Sequence, residues 1–149
     1  MSVEKIHYAD NQSSLHEVLQ HLKVCDNSFI PALSTRVNLD AYALKIRDNA
    51  YRYEAWQGDQ LTGLIAAYCN DPDKRVAFIT SVSVIPSCIG MGVASHLMAQ
   101  CIQTLQLQSF KHLQLEVSIS NLPAIMLYQK FGFSSECATG AALMMNLAL

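Results

Sequence analysis

The residues with the clearest capacity for chemistry lie at a glycine-containing junction between a predicted strand and a predicted helix. Residues 82–98 read V-S-V-I-P-S-C-I-G-M-G-V-A-S-H-L-M, with Gly90 and Gly92 directly before apolar residues at helical spacing. Glycines permit a sharp turn and leave the backbone N–H groups unobstructed. A helix N-terminus carries about half a positive charge, so several N–H groups there could hold an anion such as a pyrophosphate. The alternative is a tight strand-to-helix turn without a ligand.

Two nucleotide-binding motifs with similar glycines do not fit this segment. A P-loop requires a lysine after its last glycine, and no lysine follows Gly92. A Rossmann fingerprint opens the first βαβ unit of a fold and is followed by an acidic residue at the end of the next strand. Here the loop lies past the middle of the chain, and Glu116 lies inside a predicted strand. Both motifs are therefore disfavoured.

The loop resembles the acetyl-CoA pyrophosphate loop of GNAT-type N-acetyltransferases, which has the form Gln/Arg-x-x-Gly-x-Gly/Ala. Gly92 and Ala94 match its last two defined positions, and Gly90 matches the glycine that usually follows the first. Ile89 stands in place of the Gln or Arg, which removes a polar side-chain contact and leaves the backbone amides available. The resemblance implies that the cofactor pyrophosphate is held by Ile89, Gly90, Met91, Gly92, Val93 and Ala94.

A second segment strengthens the resemblance. Residues 115–133 read L-E-V-S-I-S-N-L-P-A-I-M-L-Y-Q-K-F-G-F and are similar to the family pattern L-x-V-x-x-x-N-x-x-A-x-x-L-Y-x-K-x-G-F. The resemblance implies that Asn121, Ala124 and Lys130 contact the cofactor and that Tyr128 protonates the departing CoA thiolate. Judged as a single residue, Asn121 also suits a helix N-cap, which is compatible with a cofactor contact. For Tyr128, the alternative to the role of proton donor is a half-buried aromatic residue with a solvated hydroxyl.

The strands beside the loop supply the remaining candidates. The resemblance implies that backbone groups of Val82 and Val84 contact acetyl-CoA, with the Val84 N–H placed to stabilise a developing oxyanion. Several family members have Glu or His as a general base where this sequence has Thr80. Glu116 is the candidate base, with a structural carboxylate as the alternative, and Glu54 is a weaker candidate. The histidines are expected on solvated faces: His7, His16, His21, His96 and His112.

Hydrophobic periodicity predicts the elements that position these residues. Helices are predicted after Ser14 (where Glu17 completes a capping box), after Asn38, after Gly92 and from Pro123. The fold class is mixed α/β. The resemblance implies a GNAT-like central mixed sheet, mostly antiparallel, with six to seven strands, four flanking helices and a V-shaped splay between strands 4 and 5. Strands are predicted at residues 3–9, 51–56, 61–69, 76–84 and 113–117, and two more follow Phe133.

The amino-acid composition excludes several other classes of protein. Of 149 residues, 51% are apolar and 15% are charged, which excludes an intrinsically disordered chain. A formal net charge of −2 argues against nucleic-acid binding, and no segment approaches the ~18–20 apolar residues of a membrane span. The five scattered cysteines indicate buried free thiols in a cytoplasmic protein and no metal. We expect one domain, residues 1–149, with residues 1–50 as a variable acceptor-side region and residues 76–135 as the acetyl-CoA-binding core.

The function that the resemblance implies is transfer of an acetyl group from acetyl-CoA to a primary amine of a small molecule by direct attack. Two alternatives stay open at this point. One is a non-catalytic acyl-CoA-binding sensor or assembly module. Ile89 in place of Gln or Arg, and Thr80 in place of a general base, favour this alternative. Tyr128 argues against it. The other is acetylation of a protein or peptide amine. Residues 25–50 are expected to line the acceptor pocket, with Arg36 and Arg47 as candidate cations, and the composition allows a homodimer.

Overall fold

The computed structural model describes residues 5–149, and the segments within that range form seven strands and four α-helices. The predicted first strand began at residue 3, and residues 3 and 4 lie outside the described residues. The helices are α1 (Leu15–Cys25), α2 (Leu39–Asn49), α3 (Val93–Leu107) and α4 (Leu122–Lys130). The strands are β1 (Ile6–Asp10), β2 (Tyr51–Gln57), β3 (Gln60–Tyr68), β4 (Val76–Val84), β5 (His112–Ser118), β6 (Ser134–Thr139) and β7 (Ala142–Ala148).

The helices begin where the capping residues predict. The Ser14 side chain accepts a hydrogen bond from the Glu17 N–H, and the Glu17 carboxylate accepts one from the Ser14 N–H, which completes the predicted capping box. Asn38 caps α2 through the Ala41 N–H, at 2.9 Å. These side chains satisfy N–H groups that a helix leaves unpaired in its first turn.

The seven strands form one mixed sheet, as predicted, and their order is β1-β2-β3-β4-β5-β7-β6. β4 and β5 are parallel, and every other neighbouring pair is antiparallel. The parallel pairing covers only residues 76–79 and 112–115, so β4 and β5 part beyond Ile79. The register between β3 and β4 also shifts at this point. Ala66 pairs with Ser81 and Ala67 pairs with Ile79, which leaves Thr80 without a partner on β3. A bulge of this kind increases local twist, and it coincides with the predicted splay.

Helices cover both faces of the sheet. α1 and α2 pack on one face against Leu64 and Ala66, while α3 and α4 pack on the other against Ile65 and Ile79. Gly63 lets the start of α3 lie close to β3, because a Cβ at this position would be 2.5 Å from the Val93 side chain.

The cysteines are free thiols, and their burial differs from the prediction at one end of the sheet. Cys25, Cys88 and Cys101 are buried and Cys69 is half-buried. The prediction is wrong for Cys137, which is exposed because β6 is an edge strand with every residue exposed. None of the helices in residues 5–149 is both long and apolar enough to cross a bilayer.

Candidate active site

A cavity of about 650 Å³ opens where β4 and β5 part. Its walls are the diverging ends of the two strands, one side of α4, and the irregular segment 28–37 together with Tyr42 of α2. The cavity thus joins the predicted cofactor residues to the predicted acceptor-side region. The predicted site residues that line it are Val82, Val84, Ile89, Ala94, Glu116, Asn121, Ala124 and Tyr128.

The edge of β4 presents backbone groups to this cavity. The Ile85 N–H donates to the Thr62 carbonyl at 2.8 Å, and hydrogen-bonded pairs alternate along antiparallel strands. Ser83 therefore bonds to β3, whereas Val82 and Val84 direct their N–H and C=O groups away from it. These groups point to the side from which β5 has diverged.

The glycine loop forms an open cradle beside the same cavity. Gly90 and Gly92 have φ values of +88° and +78°, a left-handed conformation that favours glycine. A Cβ at either position would meet nothing within 4 Å. No acceptor within residues 5–149 pairs with the N–H groups of Gly90, Gly92, Val93 or Ala94. Unpaired N–H groups at the N-terminus of a 15-residue helix, with open space above them, fit an anionic group such as a pyrophosphate.

Two loop residues contribute in different ways. Met91 is exposed, with 48% of its surface accessible, and its N–H donates to the Cys88 carbonyl. The Val93 side chain is buried against Gly63, so only its backbone faces the cradle.

Tyr128 places a phenol at the wall of the cavity. The side chain is only 6% exposed, and its ring lies 5.9 Å from the ring of Phe133. Its hydroxyl makes no hydrogen bond to another described residue. Burial raises the pKa of Tyr128 to about 12, so the hydroxyl keeps its proton at neutral pH and is available as a donor.

One side of α4 faces the cavity, and Lys130 does not lie on it. Asn121 caps the helix, since its Oδ1 accepts from the Ala124 N–H at 3.3 Å. Both residues line the cavity, as does Tyr128 one turn later. At about 100° per residue, position 130 falls roughly half a turn from position 121. Lys130 is exposed, and its cofactor contact stays a prediction.

The two carboxylates considered as bases have different surroundings. Glu116 is exposed at the cavity and makes no hydrogen bond to another described residue. Glu54 is fully buried and accepts hydrogen bonds from the Gln12 N–H (2.8 Å), the Ser13 N–H (3.1 Å) and the Trp56 Nε1–H (3.3 Å). Glu54 therefore ties the start of α1 to β2, away from the cavity.

The acceptor side of the cavity combines apolar residues with a few polar groups. The Tyr42 hydroxyl donates to the Thr80 carbonyl at 2.7 Å and lies 2.7 Å from Thr80 Oγ1. Arg36 lines the cavity as expected, whereas Arg47 forms an exposed ion pair with Asp48 at 2.8 Å.

His21 contradicts the expectation that the histidines lie on solvated faces. The expectation holds for His7, His16 and His96, which are exposed, and His112 is half-buried. The side chain of His21 is 2% exposed and lies between α1 and the sheet, with Nδ1 2.9 Å from the Leu61 carbonyl oxygen and Nε2 2.8 Å from Ser83 Oγ. The signal was present in the sequence, because position 21 shares the buried side of α1 with Val18 and Cys25 at helical spacing.

Comparison with known proteins shows which family shares this architecture. The Acetyltransferase (GNAT) family model matches residues 15–133. No curated protein matches the chain significantly in sequence.

Solved structures share the whole fold at low sequence identity. An acetyltransferase from Streptococcus agalactiae is similar with a TM-score of 0.79 and 13% identity, covering 97% of this chain and 98% of that one. The PaiA N-acetyltransferase from Thermoplasma acidophilum, solved with coenzyme A, has a TM-score of 0.76 and 13% identity, with 97% and 99% covered. The ribosomal-protein-S18-alanine N-acetyltransferase from Escherichia coli has a TM-score of 0.73 and 18% identity, with 97% and 94% covered. With most of its length matched by the family model, the chain belongs to the GNAT family of acetyltransferases.

Proposed function

We propose that this acetyltransferase moves an acetyl group from acetyl-CoA to a primary amine of a small molecule by direct attack. The observation that carries the proposal is that one cavity is lined by Ile89 and Ala94 of the glycine loop, by Tyr128 and by the segment 28–37. An acyl donor and an amine could therefore meet within this cavity.

The cradle is the proposed site for the pyrophosphate of acetyl-CoA. The N–H groups of Gly90, Gly92, Val93 and Ala94 would hold it, and Ile89 would contribute its backbone and apolar surface. Each hydrogen bond to a charged group is worth roughly 1.5–3 kcal/mol, so the backbone alone could bind the cofactor without the family's Gln or Arg. Asn121 and Ala124 would contact the remainder of the cofactor from α4.

The chemistry needs an activated acyl group, an oxyanion donor and a proton donor. Acetyl-CoA supplies the thioester when bound. The Val84 N–H, which points toward the diverging β5, is the proposed donor to the carbonyl oxygen as negative charge develops there. Tyr128 is the proposed general acid, because its protonated hydroxyl lies at the wall of the cavity. Burial disfavours a free thiolate in the same cavity, which favours proton transfer as the C–S bond breaks.

Direct attack is favoured over an acyl-cysteine route. No described cysteine lines the cavity. Burial raises the pKa of Cys25, the cysteine of α1, to about 12, so it remains a poorly nucleophilic thiol.

The segment 28–37 supports a small acceptor. Phe29, Ile30 and Pro31 line the cavity on the acceptor side, and Arg36 and Glu116 supply one charge of each sign at its wall. A protein or peptide amine is the alternative acceptor, and one structurally similar enzyme is an alanine N-acetyltransferase of a ribosomal protein.

Thiol release from acetyl-CoA tests the proposal. Small primary amines and amino acids are compared with short peptides that carry the same amine at their N-terminus. We expect turnover with at least one small amine. Turnover with peptides alone would contradict a small-molecule acceptor, and no thiol release with any amine would contradict the proposed function.

A further inference from the structure

Ser83 brings a hydroxyl to the cavity, and His21 lies directly behind it. Ser83 lines the cavity and is 7% exposed, and its Oγ is 2.8 Å from Nε2 of the buried His21. The other ring nitrogen, Nδ1, is 2.9 Å from the Leu61 carbonyl oxygen. A carbonyl oxygen can only accept, so Nδ1 carries the proton and the Nε2 lone pair accepts from the Ser83 hydroxyl.

The surroundings of the ring keep it neutral. Cys25 on α1 lies with its Sγ 3.6 Å from Nε2 and remains a thiol, while β3 presents only the Leu61 carbonyl and β4 only Ser83. On its outer side His21 also borders a second surface pocket, and the other titratable residues that line this pocket are His16, Glu17 and Asp59. No hydrogen bond or ion pair joins these three side chains to the His21 ring within the described residues. Burial lowers the pKa of His21 to about 4, so Nε2 is unprotonated at physiological pH.

We propose that Ser83 and His21 form a proton relay that removes the proton of the attacking amine. As the amine nitrogen bonds to the acetyl carbon, one N–H bond breaks and its proton passes to Ser83 Oγ. The Ser83 hydroxyl proton passes at the same time to His21 Nε2. The C–S bond then breaks, Tyr128 gives its hydroxyl proton to the sulfur, and CoA leaves as the thiol. The imidazolium returns its proton through Ser83 to solvent after the amide has left, and solvent restores the proton of Tyr128. The inference rests on the proposed direct attack.

The position of Ser83 suits this role better than the other candidates. Ser83 directly precedes Val84, whose N–H is the proposed oxyanion donor, so the base and the donor are consecutive on β4. Thr80 is already bonded to Tyr42. The amine nitrogen becomes strongly acidic only once it has bonded to carbon, so a weak base suffices at that stage. Ser83 is the proposed catalytic residue, and His21 is a positioning residue that acts through it.

The variants Ser83→Ala and His21→Gln test the relay. The Gln side chain can donate to Leu61 and accept from Ser83, but it cannot take up a proton. We expect both variants to lower kcat by roughly 10²-fold, in the range for general base catalysis, with KM for acetyl-CoA unchanged. Ser83→Thr, which keeps the hydroxyl, should retain most of the activity. If the His21→Gln variant keeps the wild-type kcat, His21 has only a structural role and the relay is wrong.

A spectroscopic measurement separates the relay from the acceptor assignment. Nitrogen NMR of the imidazole should show a neutral ring protonated at Nδ1 that does not titrate between pH 5 and 9. A ring protonated at Nε2, or one that titrates near 6.5, overturns the relay whatever the activity. If wild-type protein shows no thiol release with any amine, the proposed function fails, while this spectrum still decides whether the relay geometry exists.

Discussion

Among single residues, Tyr128 combines a buried ring with a hydroxyl that no described residue engages. We predict that Tyr128→Phe lowers kcat by roughly 10²-fold or more and leaves acetyl-CoA affinity nearly intact. Phenylalanine keeps the packing against Phe133 and removes only the proton donor. Steady-state kinetics with calorimetric titration of CoA measures both effects, and thermal unfolding serves as the control. An unchanged kcat would mean that another group protonates the leaving thiolate.

His21 gives the stability of the protein a predicted pH dependence. The pKa of His21 is lowered from 6.5 to about 4 in the folded state, so the unfolded chain binds more protons between these values. The free energy of unfolding therefore falls as the pH drops below 6.5, by about 2 kcal/mol from this group between pH 7 and pH 5. Denaturant unfolding of wild type and His21→Gln at both pH values isolates the contribution. Equal losses in the two proteins would contradict the prediction.

Side-chain types and their spacing predict some residues of the site but not others. The family pattern predicts Tyr128 and Asn121 as site residues, and both line the cavity. The pairing of Ser83 with His21 is not visible in the sequence, because the two residues are 62 positions apart and only the packing of α1 on β4 brings them together. Backbone donors such as the Val84 N–H leave no trace in residue type.

At the scale of elements, the junction between β4 and α3 depends on left-handed backbone at Gly92. We predict that Gly92→Val abolishes measurable CoA binding while the protein remains folded. A β-branched residue there strains the turn by about 1–2 kcal/mol and occupies the space above the free N–H groups. Gly58, which has φ +55° in the β2–β3 turn away from the cavity, provides the matched control.

Titration of CoA into Gly92→Val and Gly58→Val distinguishes strain from lost binding. Both variants should lose similar stability, and only Gly92→Val should lose affinity. Unchanged CoA affinity in Gly92→Val would remove the loop from the proposed cofactor site.

Most helices and strands were predictable because their caps and periodicity are local properties. The N-terminal starts of α1, α2 and α4 follow from Ser14, Asn38 and Pro123. The shift at Thr80 was not predictable, because the residues of β4 alternate without interruption and the shift exists only in the pairing with β3. The site depends on this shift, since β4 and β5 part there.

At the scale of the whole molecule, the basicity of the amine and the weakness of the proposed base decide which amine can react. A lysine-like amine with a pKa of ~10.4 is almost fully protonated at pH 7, and releasing its proton costs roughly 4.6 kcal/mol. An amine with a pKa of about 8 needs only about 1.4 kcal/mol. A neutral imidazole whose pKa is near 4 cannot deprotonate either ammonium ion before attack. The acceptor must then enter as free base.

We therefore predict a preference for a weakly basic amine over a lysine side chain. The measurement is kcat/KM against pH for two amines of similar size and different pKa, and the values should converge once both amines are deprotonated. A clear preference for the lysine-like amine at pH 7 would point to a stronger base, for which Glu116 is the candidate.

The divergence of β4 from β5 leaves a sheet edge in the interior of the protein rather than at its border. An extended molecule with amide groups, such as the pantetheine arm of acetyl-CoA, could pair with Val82 as an additional strand does in β-augmentation, with the thioester carbonyl at the Val84 N–H. Amide hydrogen exchange would record this pairing: exchange at Val82 and Val84 should slow when acetyl-CoA is added, while Ser83, already bonded to β3, should change little. Equal protection at all three amides would indicate general tightening of the sheet instead.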